Sequence, residues 1–324
     1  MIISKTPYRI SFFGGGSDYP EWYKKYSGAV LSTTIDKYIY ITLRDLPNFF
    51  EHKYRIVWSK VETVKSVNQI KHNAVRNLLK KFKVKRGLEI HYDGDLPARS
   101  GMGSSSCFVV GLAKILFKYI NKNISDKQLA DFSINFEQKI MREIVGSQDQ
   151  TATVYGGFNR INFDKKKITV KEIKNKKNLK KLNKNLMLIY SGVQRDAPEV
   201  AKRYVNTLTK KNKKKIKKLI EHVELGEKIL NSGTIDDFGH LLDEAWFYKK
   251  EISNNISNTK IDDIYNQAKS YGALGGKLLG AGGGGFLLFY INEINKKKFL
   301  SNCDLVEIPF NFSPQGSKII FEKN

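Results

Sequence analysis

"LPARSGMGSSSCFVVGL", residues 96–112, sets two glycines and a run of three serines between a proline and an apolar stretch. Phe108, Leu112, Ile115 and Leu116 recur at helical spacing, so a helix is predicted to start within the serines. The preceding GLEIHYDGDLP (87–97) reads as a strand ended by turn residues. A glycine–serine loop between a strand and a helix start suits an anion: the first helix amides lack partners, the dipole end is positive, and glycine lets the backbone come close. It is also what an ordinary N-cap with a glycine turn looks like. It is not a Walker loop, because no Lys-Ser/Thr follows the last glycine.

The chain around this loop has 324 residues, enough for two domains or one large α/β unit. With 41% hydrophobic and 27% charged residues it reads as an ordinary globular chain. No apolar run reaches the roughly 18–20 residues of a membrane helix, and MIISKTPYRISFFGGGSDYPEWY lacks a signal-peptide pattern, so no membrane partner is expected. Cys107 and Cys303 give neither a disulfide framework nor a metal cluster, and a cytoplasmic location is expected. The formal charge is +24. Much of it lies in residues 164–185 and 210–218, nearly all lysine, without interleaved aromatics or arginine. That pattern reads as solvated surface, and no nucleic-acid partner is expected.

Strands are predicted at 28–44, 54–59, 158–163 and 186–192, and a helix at 67–82. SDKQ (125–128) is a capping box; Leu129, Phe132, Phe136, Ile140 and Ile144 then mark one helical face, which Gly146 ends. GSQDQTATVYGG (146–157) reads as a turn or loop. Composition shifts near 160, which divides the chain into domains 1–160 and 161–324. Helices are expected around 196–231, 234–252 and 259–272. A second glycine loop, LLGAGGGGFLLFY (278–290), enters a strand. Gly280 and Gly282 to Gly285 weaken the fold entropically and need a reason, such as close packing on another backbone or on a ligand. A third stretch, TPYRISFFGGGSDYPEWY (6–23), places Arg9 in a strand-like segment, then three glycines, then Asp18.

In this order the three stretches resemble the three motifs of the GHMP kinases. PYRISFFGGGSDY is similar to the galactokinase-type first motif, PARSGMGSSS to the second, and LLGAGGGGFLLF to the third. The resemblance spans residues 7 to 286 and implies an α+β, two-domain fold: an N-terminal domain with the phosphate loop, a ferredoxin-like C-terminal domain, and the active site between them. It implies ATP as co-substrate and Mg²⁺ as cofactor. It places the nucleotide phosphates over Pro97, Gly101, Met102, Gly103, Ser104, Ser105 and Ser106, with Gly280, Gly282, Gly283 and Gly284 packed beside that loop. Mg²⁺ is expected on Ser105, with Ser104 as runner-up, and on Glu137, with Glu143 as the alternative. Asp149 is expected as the catalytic base and Arg9 as the cation that stabilises the transferring phosphoryl group. Trp58 and Ser59 are possible adenine-pocket residues.

The acceptor is expected at Gly14, Gly15, Gly16, Ser17 and Asp18. Galactokinases carry Gly-Glu-His-x-Asp-Tyr where this chain has Gly14-Gly15-Gly16-Ser17-Asp18-Tyr19. Two polar contacts of a free-galactose site are therefore missing. FFGGGSDYPEWY, TTIDKYIYIT and YSGVQRDA are instead similar to the heptose 7-phosphate kinases and the related L-fucose kinases. The heptose branch implies phosphorylation of the anomeric hydroxyl of a sugar phosphate. Arg195 is a candidate for the distal phosphate, as are Lys37, Arg99 and Arg203. A basic binding protein on a degenerate kinase fold is the reading from another class. The oligomeric state is not legible.

Overall fold

The computed structural model describes residues 1–193, 205, 208, 209, 211–253 and 256–323. Two sheets organise them. The first has eight strands in the order β12-β1-β2-β5-β3-β4, with β6 paired to β2 and β7 to β6. Its axis is the antiparallel pair β1 (Ile2–Phe13) and β2 (Gly28–Asp45). The long β2 serves two neighbours. Its first half pairs with β6 (Phe158–Phe163) and its second half with β5 (Leu88–Gly94). The hairpin of β3 (Tyr54–Val57) and β4 (Val61–Val64) adds to β5 in parallel. β7 (Ile168–Glu172) and the late strand β12 (Lys318–Glu322) also join this sheet, so the division expected at residue 160 falls inside β6.

The anion-loop helix, Ser104–Tyr119, packs on β1 and β2. It is buried nearly all round, from Ser106 and Cys107 to Leu116 and Phe117, which marks a central helix rather than an amphipathic surface one. Gly111 allows the close approach: a Cβ there would lie 2.8 Å from Thr6 Oγ1 of β1.

The second sheet has the order β11-β8-β10-β9. Its strands are β8 (Leu186–Tyr190), β9 (Gly275–Leu278), β10 (Phe286–Tyr290) and β11 (Val306–Glu307), antiparallel throughout. Helices Lys213–Ser232, Asp236–Lys250 and Thr259–Ser270 lie between β8 and β9, and Glu293–Ser301 between β10 and β11. That is the βαββαβ order of a ferredoxin-like sandwich. The central strands are continuous apolar runs, with Leu188 opposite Leu288, as strands covered on both faces must be. Among the described residues no helix is long and apolar enough to cross a membrane.

Two expectations are corrected. The helix capped by Ser125 does not run to Gly146. Its capping box is present, but the α-helix spans Asp126–Asn135, passes into one π-helical turn, Phe136–Ile140, and then becomes irregular. Ile140 and Ile144, expected on its buried face, are each 40% exposed. GSQDQTATVYGG is not a loop either: Gln148–Tyr155 is a helix, buried from Gln150 to Val154.

The core assignment gives a direct expectation. Leu288→Ala, in the centre of the second sheet, should cost about 3 kcal/mol through lost burial and the cavity it leaves. Ile320→Ala on β12, where the side chain is 45% exposed, should cost under about 1 kcal/mol. Urea denaturation of both variants checks this, and equal losses would contradict the assignment.

Candidate active site

Arg9, 4% exposed in β1, is the hub of the site. Its Nε and Nη2 donate to Asp149 Oδ1 and Oδ2 at 2.7 and 2.8 Å, a bidentate pair. Its Nη1 donates to the carbonyl of Gly101 at 2.8 Å, and its backbone N–H to the carbonyl of Met102 at 3.3 Å. One side chain thus ties the first strand, the Gln148–Tyr155 helix and the glycine–serine loop together.

Gly103 is the N-cap of the central helix, with φ +79°, and no side chain caps that terminus. A Cβ on Gly103 would lie 3.2 Å from Asp149 Oδ2 and 3.4 Å from Arg9 Cγ. The Arg9–Asp149 pair therefore stands beside the amide-rich helix start, where a side chain at position 103 would meet it. Met102 is fully buried beneath the loop, Pro97 is exposed at its rim, Ser104 is half-buried and Ser105 is exposed.

The second glycine loop lies directly on the first. A Cβ on Gly285 would sit 2.2 Å from the Ser100 carbonyl, and one on Gly101 would sit 2.6 Å from the Leu279 carbonyl. Lys249 Nζ donates to the carbonyl of Gly280 at 2.6 Å, Gly283 N donates to that of Ile256 at 3.0 Å, and Gly282 and Gly284 press on Ile256 and Val193. The run of glycines is thus needed where backbone meets backbone on several sides.

Glu137 is wholly buried and lies in the π-helical turn. Ser106 Oγ donates to its Oε2 at 2.8 Å, Ser105 Oγ stands 3.5 Å from its Oε1, and Gln150 Nε2 also donates to Oε2. Burial pushes its carboxyl up to about 8, against the pull of Gln150 and Ser106. Such a carboxylate gains from a hard cation, and with the exposed Ser105 hydroxyl it offers the oxygen donors that Mg²⁺ takes alongside water and phosphate. Ser106, given no metal role in the sequence, lies closer to Glu137 than Ser105 does. Ser104, the other serine considered for the metal, is the half-buried first residue of the central helix. The Glu143 backbone N–H donates to the Glu137 carbonyl at 2.9 Å, its carboxyl acts on Glu137 through its charge, and burial raises that carboxyl too. Among the described residues no cluster of three His, Cys, Asp or Glu side chains forms a metal site.

The loop expected to hold the acceptor follows β1. Gly14, at φ +82°, touches the Ala29 carbonyl, where a Cβ would lie 1.9 Å away, while Gly15 has open space beside it. Asp18, 1% exposed, accepts from the amides of Gly16 at 2.9 Å and Gln148 at 3.4 Å. Burial, and then the charge of Asp149, push its carboxyl up to about 6. Ser17 is wholly buried; its one hydroxyl hydrogen is shared between the carbonyls of Gly14 and Ala29, and its oxygen accepts from Ala29 N, so it braces the loop. Arg195 and Arg203 lie outside the described residues.

Three residues escaped the sequence reading. Gln148 Oε1 accepts from Ser11 Oγ at 2.7 Å, and Gln150 is fully buried on Glu137. Their signal is that the two glutamines flank Asp149 in GSQDQ. The third, Lys277, is a buried cation in an apolar strand, and nothing local marks it.

This geometry agrees with comparisons along the whole chain. Residues 68–157 match the model for the GHMP kinases N terminal domain, and 224–302 match that for the GHMP kinases C terminal. The D-glycero-alpha-D-manno-heptose 7-phosphate kinase of Campylobacter jejuni is 28% identical over 98% of each chain. The bifunctional fucokinase/GDP-fucose pyrophosphorylase of Arabidopsis thaliana is 26% identical over 91% of this chain and 30% of the plant protein. The crystal structure of a D-glycero-D-manno-heptose 1-phosphate kinase from Bacteriodes thetaiotaomicron superposes with a TM-score of 0.80 over 100% of both chains, at 22% identity. The two domain models fall in order on either side of the glycine-loop contact, and this chain therefore belongs to the GHMP kinases.

Proposed function

We propose that this chain transfers the γ-phosphoryl group of ATP to the anomeric hydroxyl of a sugar phosphate. The substrate proposed is D-glycero-D-manno-heptose 7-phosphate, converted to the 1,7-bisphosphate for nucleotide-activated heptose and surface polysaccharide synthesis. The observation that carries the reaction type is the Arg9–Asp149 pair beside Gly103, bonded to the loop through the Gly101 carbonyl. It sets a carboxylate and a guanidinium at the edge of an anion-binding helix start. The heptose acceptor is supported by the Campylobacter relative and by the open space beside Gly15. A free-sugar acceptor, such as L-fucose, is the second reading and rests on the plant fucokinase relative.

In this mechanism the loop from Gly101 to Ser106 holds the nucleotide phosphates on its amides. Asp18 and the glycine loop orient the sugar. Asp149 takes the proton of the attacking hydroxyl. Arg9 has five N–H donors and uses three on Asp149 and Gly101, which leaves two for the phosphoryl oxygens as charge moves through the transition state. Glu137 and Ser105 would hold Mg²⁺, which supplies charge neutralisation on the phosphates when bound. The aromatic series Trp58, His72 and Phe108, with ring centroids 4.9 and 4.7 Å apart, runs from the β3–β4 hairpin to the central helix and supports an adenine site on that flank.

Three outcomes are expected. With Mg-ATP, heptose 7-phosphate should exceed unphosphorylated heptose, L-fucose and galactose in kcat/KM by on the order of 10²-fold, because the remote phosphate contributes binding energy used at the reacting hydroxyl. Equal values for heptose and its 7-phosphate would favour the free-sugar reading.

Asp149→Asn should lower kcat by on the order of 10²-fold with little change in ATP affinity. Arg9→Ala should lower kcat and also weaken ATP binding, because the Arg9 side chain is bonded to the loop carbonyl of Gly101. Steady-state kinetics and calorimetry on both variants check this pair; near-normal kcat in folded Asp149→Asn removes the base assignment.

The Glu137 carboxyl, raised from 4.5 to about 8, binds a proton on folding between those values. The folded state holds more protons there, so this contribution to stability falls as pH rises through the window. A cation that takes the ionised form offsets the loss. With ADP present, Mg²⁺ should therefore raise Tm more at pH 8.5 than at pH 6. Glu137→Gln should abolish that difference and leave the Mg²⁺-free protein at least as stable at pH 8.5. A Tm increment independent of pH in the parent protein would exclude Glu137 as a ligand.

A further inference from the structure

Lys277 projects from β9, the edge strand of the second sheet, into the first domain, and is 6% exposed. Its Nζ donates to two consecutive carbonyls of β1, Ser11 at 3.0 Å and Phe12 at 2.5 Å. The pairing of β1 with β2 shifts register between Ser11 and Phe13. A bulge of this kind leaves a residue unpaired and bends the strand, and buried carbonyls without partners are costly. Lys277 donates to both carbonyls at this irregularity from the other sheet. The bulge lies immediately before Gly14, where the chain turns into the acceptor loop. Ser11 also donates through its hydroxyl to Gln148, the neighbour of Asp149.

Two residues beyond Lys277, the Leu279 carbonyl presses against Gly101 of the phosphate loop. The end of β9 therefore touches both halves of the site, the strand that carries the acceptor loop and the loop assigned to the nucleotide. Burial, with Arg9 adding its charge, pushes the Lys277 amine down to about 7. An apolar residue would avoid that penalty, so the lysine is kept for what it holds.

We propose that Lys277 is a positioning residue that fixes the acceptor loop against the phosphate loop, with β9 as the spacer between them. The consequence for catalysis rests on the kinase reading above. A small displacement of two reacting groups costs rate far more than it costs the binding of either one.

The test uses Lys277→Met, which keeps the length and removes the donors, with Lys277→Arg and Lys277→Gln as donor-bearing companions. In Lys277→Met, kcat should fall about 30-fold or more while KM for ATP and for the sugar phosphate each stay within about threefold. ADP release should exceed sugar phosphorylation, because water reaches a phosphoryl group whose acceptor is misplaced. At least one donor-bearing variant should recover kcat to within about tenfold of the parent. Hydrogen exchange, which needs no substrate, should quicken at residues 12–18 and stay unchanged at 105–115.

The proposal is overturned if Lys277→Met keeps kcat within twofold. It is overturned also if activity falls only with the folded fraction while ADP and product stay equal, or if none of the three variants folds, which would make Lys277 a folding determinant. If the parent phosphorylates no sugar or sugar phosphate, the kinase reading fails. The exchange measurement then still decides whether Lys277 holds the acceptor loop, and unchanged exchange at 12–18 would overturn it.

Discussion

The guanidinium of Arg9 binds a carboxylate and a loop carbonyl at once, and the site is arranged around that fork. Asp149 receives two parallel bonds, and Gly101 a third. Lysine could not replace it, since a single ammonium presents no planar fork. Because the fork is buried in β1, Asp149 and the glycine–serine loop are referenced to the same strand. The loop's left-handed glycines follow from this. Gly103 must cap the central helix with φ positive while the Arg9–Asp149 pair passes within contact distance, and a side chain there would press on both.

Buried charge is the cost of this arrangement. Asp18 and Glu137 are taken from water with polar but uncharged partners, and both carboxyls rise as a result. Neither is a stabilising feature of the protein alone. Their partners aim them: the Gly16 amide for Asp18, and Ser106 and Gln150 for Glu137. The π-helical turn belongs to the same account. An extra residue in the turn, seen in the Met141 amide bonding to the Phe136 carbonyl, sets Glu137 inward and ends the regular helix.

What the sequence disclosed, and what it hid, follows from how local each signal is. The three glycine-rich stretches were legible because backbone approach can be met by few residues other than glycine. The Ser125 box was legible because its four residues satisfy one another. The end of that helix was not. Phe132, Phe136, Ile140 and Ile144 keep a helical spacing, but the placement of Glu137 overrides it and leaves the two isoleucines largely in solvent. Helix Gln148–Tyr155 was missed because it is buried without an apolar stripe, and its threonines and glutamines read as a loop. Lys277 was hidden because its partners, Ser11 and Phe12, lie more than 260 residues away in the chain. The Gly14–Ser17 run was legible as a motif but not by role, since only the three-dimensional setting commits Ser17 to Ala29.

The charge of the chain leads to the last step. A formal +24 suggests a protein that attracts anions by its net field. The site is not built that way. Around the loop junction stand three carboxyl groups, Asp18, Glu137 and Asp149, and two buried basic side chains, Arg9 and Lys277, while Lys176, Lys177, Lys180 and Lys181 line the polar helix Lys176–Asn185 elsewhere. Arg9 spends most of its donors on Asp149 and Gly101, and Lys277 spends its bonds on two carbonyls. Long-range attraction from the lysine faces is screened beyond about 8–10 Å at physiological salt. In the proposed reaction, retention of a phosphorylated ligand then rests on short-range contacts: the uncapped amides of the central helix, the remaining donors of Arg9, and a cation that Glu137 would hold. Each acts only when the ligand is in register with the loop, so this arrangement selects by position rather than by charge.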